Sequence, residues 1–404
     1  MTPLAVFVLT TLASLTVSAA DWPQFLGPTR DGVYSGGDIA PSPKPALLWK
    51  KDVGQGFSAP VVAEGKLLLF HRNGNKETVE AFDPATGKRI WATDSPTAYR
   101  DDFGFDEGPR ATPAVAGGRV YTHGADGVVQ ALDLATGKRL WSVDTRQKFE
   151  FRKGFFGAVC SPLVEGNAVL VSVGGANGAG IVAFHKDTGK PLWTATSDEA
   201  GYGSPTIATI AGARHALFFN RAGLTDIEPA SGKVRFQFPW RSRSHATVNA
   251  ATPIVSGDLV FLSASYGTGA VLLQIQPSGP KQVWTSDDAI SNHYSTTVLR
   301  DGYLYGFHGR QEEGQSLRSI ELKTGKVQWS ADRYGAGTVT LAGDRLIVVR
   351  ENGELAVAQA SPKELRVVAK AQLLPGTIRA YPAIAEGRLY VRDTKTLAAF
   401  DLRK

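Results

Sequence analysis

One repeated sequence unit constrains the fold of this chain more than any other feature. The unit opens with a small or polar residue and Pro, and it continues through apolar strands separated by Gly-containing turns. It ends with the turn Asp-x-x-Thr-Gly-Lys and a strand that carries Trp. Pro60 and Pro382 open the first and eighth copies, 322 residues and seven repeats apart, so the mean period is 46.

The period and the internal pattern of the unit indicate its architecture. The seventh copy is degenerate and opens at Val339-Thr340-Leu341, whereas the sixth has Thr296-Thr297-Val298 in place of the proline. Units of this length that alternate like short strands are typical of four-stranded propeller blades and not of helical solenoids. The sequence therefore predicts an all-β fold, an eight-bladed β-propeller of four-stranded antiparallel blades.

The recurring turn and the recurring Trp both have a structural interpretation. Asp83 can accept hydrogen bonds from the turn that it opens, and Gly87 can adopt the left-handed conformation that returns the chain. Because Asp83, Asp133 and Asp187 recur at the same turn, we interpret them as turn residues and not as metal ligands. The tryptophans are expected to pack between neighbouring blades, where an aromatic ring buries a large area; they are Trp91, Trp141, Trp193, Trp284 and Trp329.

The two ends of the chain complement each other. The eighth copy stops at Leu402, before its fourth strand, whereas Leu47-Leu48-Trp49-Lys50 resembles a Trp strand without its three predecessors. Pairing of these segments would close the ring and remove its open edges. We therefore expect a propeller over residues 47–404, closed by an N-terminal strand, and an arm over residues 21–46 that lies on the ring.

Residues 1–20 are predicted to be a cleaved export signal. An apolar stretch over residues 4–17, too short for a membrane span, precedes the small residues Ser18-Ala19-Ala20. No Cys stands at the cleavage site, so no lipid anchor is expected, and no other apolar run is long enough to cross a membrane. We expect a periplasmic or secreted monomer that begins at Asp21.

The cysteine count and the charge distribution argue against a disulfide-bonded protein and against a nucleic-acid-binding protein. Cys160 is the only cysteine, so no internal disulfide forms, and its apolar neighbours indicate a buried small side chain. The net charge of +6 comes from Lys and Arg spread along the chain among acidic residues. A nucleic-acid groove would show them clustered, so no nucleic-acid partner is expected.

The repeats resemble those of pyrroloquinoline-quinone-type propellers, on the pattern Ala-Phe-Asp-x-x-Thr-Gly-Lys-x-x-Trp. The arm over residues 21–32 is similar to the segment that opens many exported bacterial proteins of this group. Two kinds of relative give different expectations. Quinoprotein alcohol dehydrogenases hold the quinone and a calcium or lanthanide ion in the channel, under a disulfide of adjacent cysteines. The propeller lipoprotein of the outer-membrane β-barrel assembly machine has eight blades and no catalysis.

The departures from the dehydrogenase pattern decide the order of two hypotheses. A single Cys cannot make the covering disulfide, and no metal ligands can be matched residue by residue. The leading hypothesis is a non-catalytic binding or scaffold propeller without cofactor, catalytic residues or metal site. The alternative is a quinone- or metal-dependent oxidoreductase of the channel, with pyrroloquinoline quinone and calcium.

The loops that precede the recurring prolines should all open at one mouth of the channel. These loops combine Arg, Asp, His and aromatic residues. The loop that is richest in such residues spans residues 240–249. One interpretation is a solvated loop with Trp240 resting on the rim. The other is a ligand funnel, in which Arg pairs with an anion and Trp240 stacks on a planar or sugar-like group. An envelope protein is the alternative partner for this mouth. The candidate binding residues are Trp240, Arg241, Arg243, His245, Asn249, Lys153, Phe155, Arg100, Tyr266 and His293.

Overall fold

Eight sheets form the blades of a propeller, each with four antiparallel strands, and a short parallel strand from the arm adds a fifth strand to one of them. The structure is a computed structural model, and it describes residues 21–37, 39–242, 244 and 248–403. Within each blade the strands lie in the order a, b, c, d from the channel outward. First strands contact each other between blades 1 and 8, blades 2 and 3, and blades 6 and 7. The predicted all-β, eight-bladed fold is confirmed.

The strands have the following bounds. Strands a to d are Val61–Ala63, Lys66–Asn73, Lys76–Phe82 and Arg89–Pro96 in blade 1; Ala114–Ala116, Arg119–His123, Val128–Asp133 and Arg139–Asp144 in blade 2; Leu163–Glu165, Ala168–Ser172, Ile181–His185 and Pro191–Ala195 in blade 3; Thr206–Ile210, Ala213–Asn220, Gly223–Ile227 and Val234–Pro239 in blade 4; Ile254–Ser256, Leu259–Ala264, Gly269–Gln276 and Gly279–Ser286 in blade 5; Val298–Arg300, Tyr303–His308, Ser316–Glu321 and Val327–Ala331 in blade 6; Gly337–Ala342, Arg345–Arg350, Glu354–Gln359 and Arg366–Gln372 in blade 7; and Ala383–Ala385, Arg388–Arg392, Thr396–Asp401 and Ala46–Asp52 in blade 8. Two short helices, Thr145–Phe149 and Gln311–Glu313, and a further strand, Val33–Tyr34, complete the described elements.

The ring closes as the sequence predicts. Strand Ala46–Asp52 pairs antiparallel with Thr396–Asp401, so that Leu47 faces Phe400 and the N-terminal strand becomes strand d of blade 8. The last blade therefore has four strands, and the first and last parts of the propeller are joined by hydrogen bonds.

The recurring Asp organises the turn between strands c and d. In blade 1 the Asp83 carboxylate accepts hydrogen bonds from the backbone N–H and the hydroxyl of Thr86, both at 2.8 Å. These bonds lower the pKa of Asp83, and Asp133 and Thr136 repeat the arrangement in blade 2. Among the described residues no three His, Cys, Asp or Glu side chains are grouped as a metal site.

Each recurring Trp joins its blade to the next one. The indole N–H of Trp141 donates to the carbonyl of Lys186 at 2.8 Å, and its ring covers Gly189. A Cβ at Gly189 would lie 2.7 Å from the ring, and its φ of +69° also favours glycine. The same indole hydrogen bond links Trp49 to Pro84, Trp91 to Leu134, Trp193 to Pro229, Trp284 to Leu322 and Trp329 to Ser361.

The polar residue before the recurring Pro links the blades around the channel. At four of the described blade junctions, the backbone N–H at this position donates to the hydroxyl at the same position of the next blade, which gives Ser or Thr a role there. These bonds run from Ala59 to Thr112 at 3.1 Å, from Thr112 to Ser161 at 2.9 Å, from Ser161 to Ser204 at 3.0 Å and from Thr252 to Thr296 at 2.9 Å.

The arm fills the channel from the face of the a–b turns. Trp22 forms a bridge with Val62 of blade 1, and Val33–Tyr34 pairs in parallel with strand a of blade 7. The guanidinium of Arg30 is fully buried and donates to the carbonyls of Pro162 at 3.0 Å and Pro205 at 2.8 Å. The arm thus connects blades on opposite sides of the ring.

Cys160 is buried between blades 2 and 3, as expected from its neighbours. Burial raises the pKa of its thiol to about 11, so the thiol stays protonated at neutral pH. No helix in the described part of the chain has the length and apolar character needed to cross a membrane.

Candidate binding site at the channel mouth

The loops before the recurring prolines surround a cavity of about 580 Å³. One repeat position, three residues before the proline, supplies a lining residue from seven blades. These residues are Phe57, Arg110, Val159, Tyr202, Ala250, Tyr294 and Arg379. The sequence-predicted convergence of these loops at one mouth therefore matches the geometry of the cavity.

The floor of the cavity comes from the arm. Phe25 packs edge-on against Tyr381, with ring centroids 5.3 Å apart. The hydroxyl of Tyr381 accepts a hydrogen bond from the backbone N–H of Thr296 across the channel. The arm and these two blades thus close the lower end of the cavity.

Two loops build an aromatic wall. Phe103 lies 5.4 Å from Phe156 and 6.0 Å from Phe155 between ring centroids. Phe156 in turn contacts Tyr202 at 5.4 Å, and the Tyr202 hydroxyl accepts a hydrogen bond from the backbone of Phe155 at 2.9 Å. Phe103 and Phe105 remain 52% and 50% exposed, which is unusual for side chains of this size and leaves apolar surface at the entrance.

Two guanidinium groups lie close to the ring of Phe57. Arg110 is centred 5.6 Å from its ring and Arg379 5.5 Å from it. Arg110 also lies 5.3 Å from Phe156, and Arg379 lies 5.4 Å from Phe105. Stacking of this kind is favourable because the ring face carries negative potential.

The two arginines differ in their hydrogen bonds. Arg110 donates to the Tyr99 hydroxyl at 3.3 Å and to the carbonyls of Phe156 at 3.4 Å and Asp106 at 3.2 Å. Arg379 donates through Nε to Glu351 at 2.9 Å. Among the described residues, the terminal nitrogens of Arg379 have no hydrogen-bond acceptor in the structure.

Glu351 is shared by two cavity residues. The hydroxyl of Tyr294 donates to the same Glu351 oxygen at 2.8 Å, so the carboxylate holds both side chains in place. Burial, together with the Glu351 charge, raises the pKa of Tyr294 well above its usual value. Tyr294 is therefore a neutral donor at physiological pH.

His293 and Tyr266 form a second polar pair. The Tyr266 hydroxyl and His293 Nε2 are 3.1 Å apart, and burial lowers the pKa of His293. The imidazole is therefore neutral at pH 7. Arg310 lies 4.6 Å from the Tyr266 ring and is paired with Glu312 at 3.4 Å.

Three of the candidate residues from the sequence line the cavity, and they are Phe155, Tyr266 and His293. Lys153 and Arg100 are paired outside it, with Asp102 at 2.6 Å and with Glu107 at 3.2 Å respectively. The binding role of all of them stays a prediction.

Among the described residues of the 240–249 loop, Val248 lines the cavity, whereas Trp240, Arg241 and Asn249 do not. Trp240 stacks on Phe238 at 6.2 Å and packs against the apolar core between blades 4 and 5, away from the cavity lining. Arg241 is exposed, whereas Asn249 is buried and donates to the carbonyl of Asn220 at 2.8 Å. Arg243 and His245 lie outside the described residues.

Sequence reasoning missed the residues that dominate the cavity. Phe103 and Phe105 lie in one of the loops before the recurring prolines, and Arg110 and Arg379 occupy the repeat position described above. That position was a usable signal, because it can be read directly from the spacing to the proline. Phe25 had no such signal, since its place depends on how the arm enters the channel.

The cavity does not offer the donor set that a quinone with its metal ion requires. Its acidic lining residue, Glu312, is paired with Arg310 at 3.4 Å, and Glu351 behind it is paired with Arg379. The described residues contain no group of three potential metal-ligating side chains.

Comparisons with known proteins agree with this architecture. The family model described as "Outer membrane protein assembly factor BamB" matches residues 42–155, 75–331 and 313–404. No curated protein sequence matches the chain.

Solved structures show the same fold at low sequence identity. BamB from Moraxella catarrhalis is 14% identical, with a TM-score of 0.64 over 89% of this chain and 98% of that one. The quinohemoprotein alcohol dehydrogenase from Comamonas testosteroni is 16% identical, with a TM-score of 0.67 over 94% and 80%. A europium-containing methanol dehydrogenase is 12% identical, with a TM-score of 0.59 over 95% and 98%.

Proposed function

We propose that this chain, which belongs to the family described as outer membrane protein assembly factor BamB, is a non-catalytic binding propeller. It acts in the periplasm after removal of residues 1–20, and it binds a ligand or a partner at the channel mouth. The fold alone does not select this function, because propellers of this type include both scaffolds and enzymes.

The observation that carries the proposal is the composition of the cavity. A volume of about 580 Å³ enclosed by aromatic rings, with a few polar groups, is typical of a ligand pocket. Its polar side chains are held by one another. Glu351 accepts from Arg379 and Tyr294, and His293 is bonded to Tyr266. Such an arrangement orients a ligand and fixes its position.

Burial moves the pKa values of two titratable residues of the cavity lining away from neutrality. A general base needs a pKa near the working pH and access to the substrate. His293 has its pKa lowered by burial, and the pKa of Tyr294 is raised well above its usual value. These shifts favour binding over acid–base chemistry.

A dye-linked oxidation assay tests the proposal against the oxidoreductase alternative. The mature chain, residues 21–404, is given pyrroloquinoline quinone with calcium or lanthanum, followed by methanol or ethanol and an electron-accepting dye. We expect no turnover above the protein-free control. Alcohol oxidation that requires both the protein and added quinone would overturn the proposal, and the quinone-dependent oxidoreductase would replace it.

A further inference from the structure

We infer that the cavity at the channel mouth selects an amphipathic anion, a molecule that carries an acidic group on an apolar body. This inference rests on the proposed binding function and adds the chemical class of the ligand. It follows from three properties of the described residues: the apolar wall, the arginines stacked on that wall, and the unused donors of Arg379.

The wall requires an apolar ligand body. Phe103 and Phe105 are each about half exposed at the entrance, and Phe155 and Phe156 continue the same surface inward. Aromatic side chains contribute strongly when a ligand removes their surface from water. A small hydrophilic molecule would leave this surface without a partner.

The stacked arginines disfavour a cationic ligand. An aromatic cage binds cations through its ring faces, but here the protein's own guanidinium groups already lie over several of these rings. The pairs are Arg110 with Phe57 and Phe156, Arg221 with Phe155, Arg310 with Tyr266, and Arg379 with Phe57 and Phe105. Each of these arginines is also paired with a carboxylate. The guanidinium groups nevertheless occupy the ring faces that a cationic ligand would need.

Arg379 is the arginine that can recognise the acidic group. Its Nε is fixed by Glu351, and Tyr294 holds the same carboxylate from the other side. Its terminal nitrogens have no acceptor among the described residues, and a guanidinium pairs well with a carboxylate, sulfonate or phosphate through such nitrogens. Arg110 also lies against the Phe57 ring, but carbonyls and the Tyr99 hydroxyl already occupy its donors.

Two fluorescent probes that differ by one acidic group test the inference. 1-Anilinonaphthalene-8-sulfonate carries a sulfonate, whereas N-phenyl-1-naphthylamine has the same aromatic body without a charge. We expect the wild-type mature protein to bind the sulfonate about 10-fold more tightly than the neutral probe, as for a charge-assisted hydrogen bond.

Three variants assign the effect to the cavity. Arg379→Gln should abolish the preference for the sulfonate and leave the affinity for the neutral probe within about 2-fold. Phe105→Ala should weaken both probes to a similar extent. Arg366→Gln, an exposed arginine on the outer strand of blade 7, is the matched control and should change neither affinity. Circular dichroism verifies that each variant is folded.

Competition experiments then distinguish an aliphatic from an aromatic ligand body. Decanoate represents an aliphatic acid and 2-naphthoate an aromatic acid, and displacement of the sulfonate by either one, but not by decanol, supports the inference. Equal affinity for the charged and neutral probes, or a preference that survives Arg379→Gln, would overturn the inference and leave the binding function standing. Failure of the folded wild-type protein to bind either probe would overturn both.

Discussion

Replacement of Trp141 by Ala tests the contact that joins each blade to the next. Trp141 is 8% exposed, and its ring lies between Tyr121 and Phe184, at centroid distances of 6.2 and 6.3 Å. The substitution empties this space and leaves the carbonyl of Lys186 without its donor. Its cost is the loss of buried aromatic area together with one hydrogen bond.

The size of the effect follows from these two contributions. Emptying a buried Trp site costs about 3–5 kcal/mol of unfolding free energy. The hydrogen bond alone contributes about 1 kcal/mol. Trp141→Phe keeps most of the ring contacts and loses the indole N–H, so it should cost about 1–2 kcal/mol.

Trp240→Ala is the comparison that makes the result specific. Trp240 is partly buried against the core between blades 4 and 5, and its indole N–H has no acceptor among the described residues. Removing it costs ring contacts but also removes a buried donor without a partner, so the loss should be less than half of that for Trp141→Ala.

Urea denaturation followed by tryptophan fluorescence and circular dichroism measures all three variants. Trp141→Ala should lower the unfolding free energy most, and Trp141→Phe should lower it by a smaller amount. The loss for Trp240→Ala should be less than half of that for Trp141→Ala. Equal losses for Trp141→Ala and Trp240→Ala would refute the assignment of a special inter-blade role to the recurring Trp.

Three further predictions concern closure, the arm and pH. Deletion of the chain through Lys51 should expose the edge of Thr396–Asp401 and cause aggregation in size-exclusion chromatography, and a soluble monomer with unchanged Tm would contradict the closure. Arg30→Met should lower the unfolding free energy by about 3 kcal/mol, because buried carbonyls lose their donor; an unchanged value in urea would show that the arm does not stabilise the ring. Burial lowers the pKa of His123 to about 4, below its usual value near 6.5. The contribution of neutral His123 to the unfolding free energy is therefore complete above about pH 6.5. It is lost as the pH falls towards about 4, and the total loss is about 3 kcal/mol. The loss of unfolding free energy between about pH 6.5 and about pH 4, measured in urea, should be smaller by this amount in His123→Gln. An identical pH dependence in the variant would show that His123 is not its source.

The blades were predictable because each rests on local spacing. The Pro, the Asp turn and the Trp recur at fixed distances, and the Asp and the Trp make the same contacts in blades 1 and 2. The closing strand at Trp49 was predictable for the same reason, since it repeats the Trp strand of the other blades.

The candidate site was predictable in location and less so in residues. The direction of a side chain at the end of a strand depends on the path of the following loop, which the repeat does not determine. Trp240 follows Pro239 and turns into the core beside Phe238, whereas an equally suitable aromatic, Phe103, projects over the cavity. Phe25 reaches the floor only because the arm enters the channel, anchored by the distant contacts of Arg30.

Native mass spectrometry of the mature protein, isolated from its own cell envelope without added ligand, tests the central claim most directly. The account predicts that a small acidic, apolar molecule accompanies the wild-type protein and is lost from the Arg379→Gln and Phe105→Ala variants, but is retained by Arg366→Gln. Retention of pyrroloquinoline quinone or of a stoichiometric metal ion would contradict the account of a non-catalytic binding propeller.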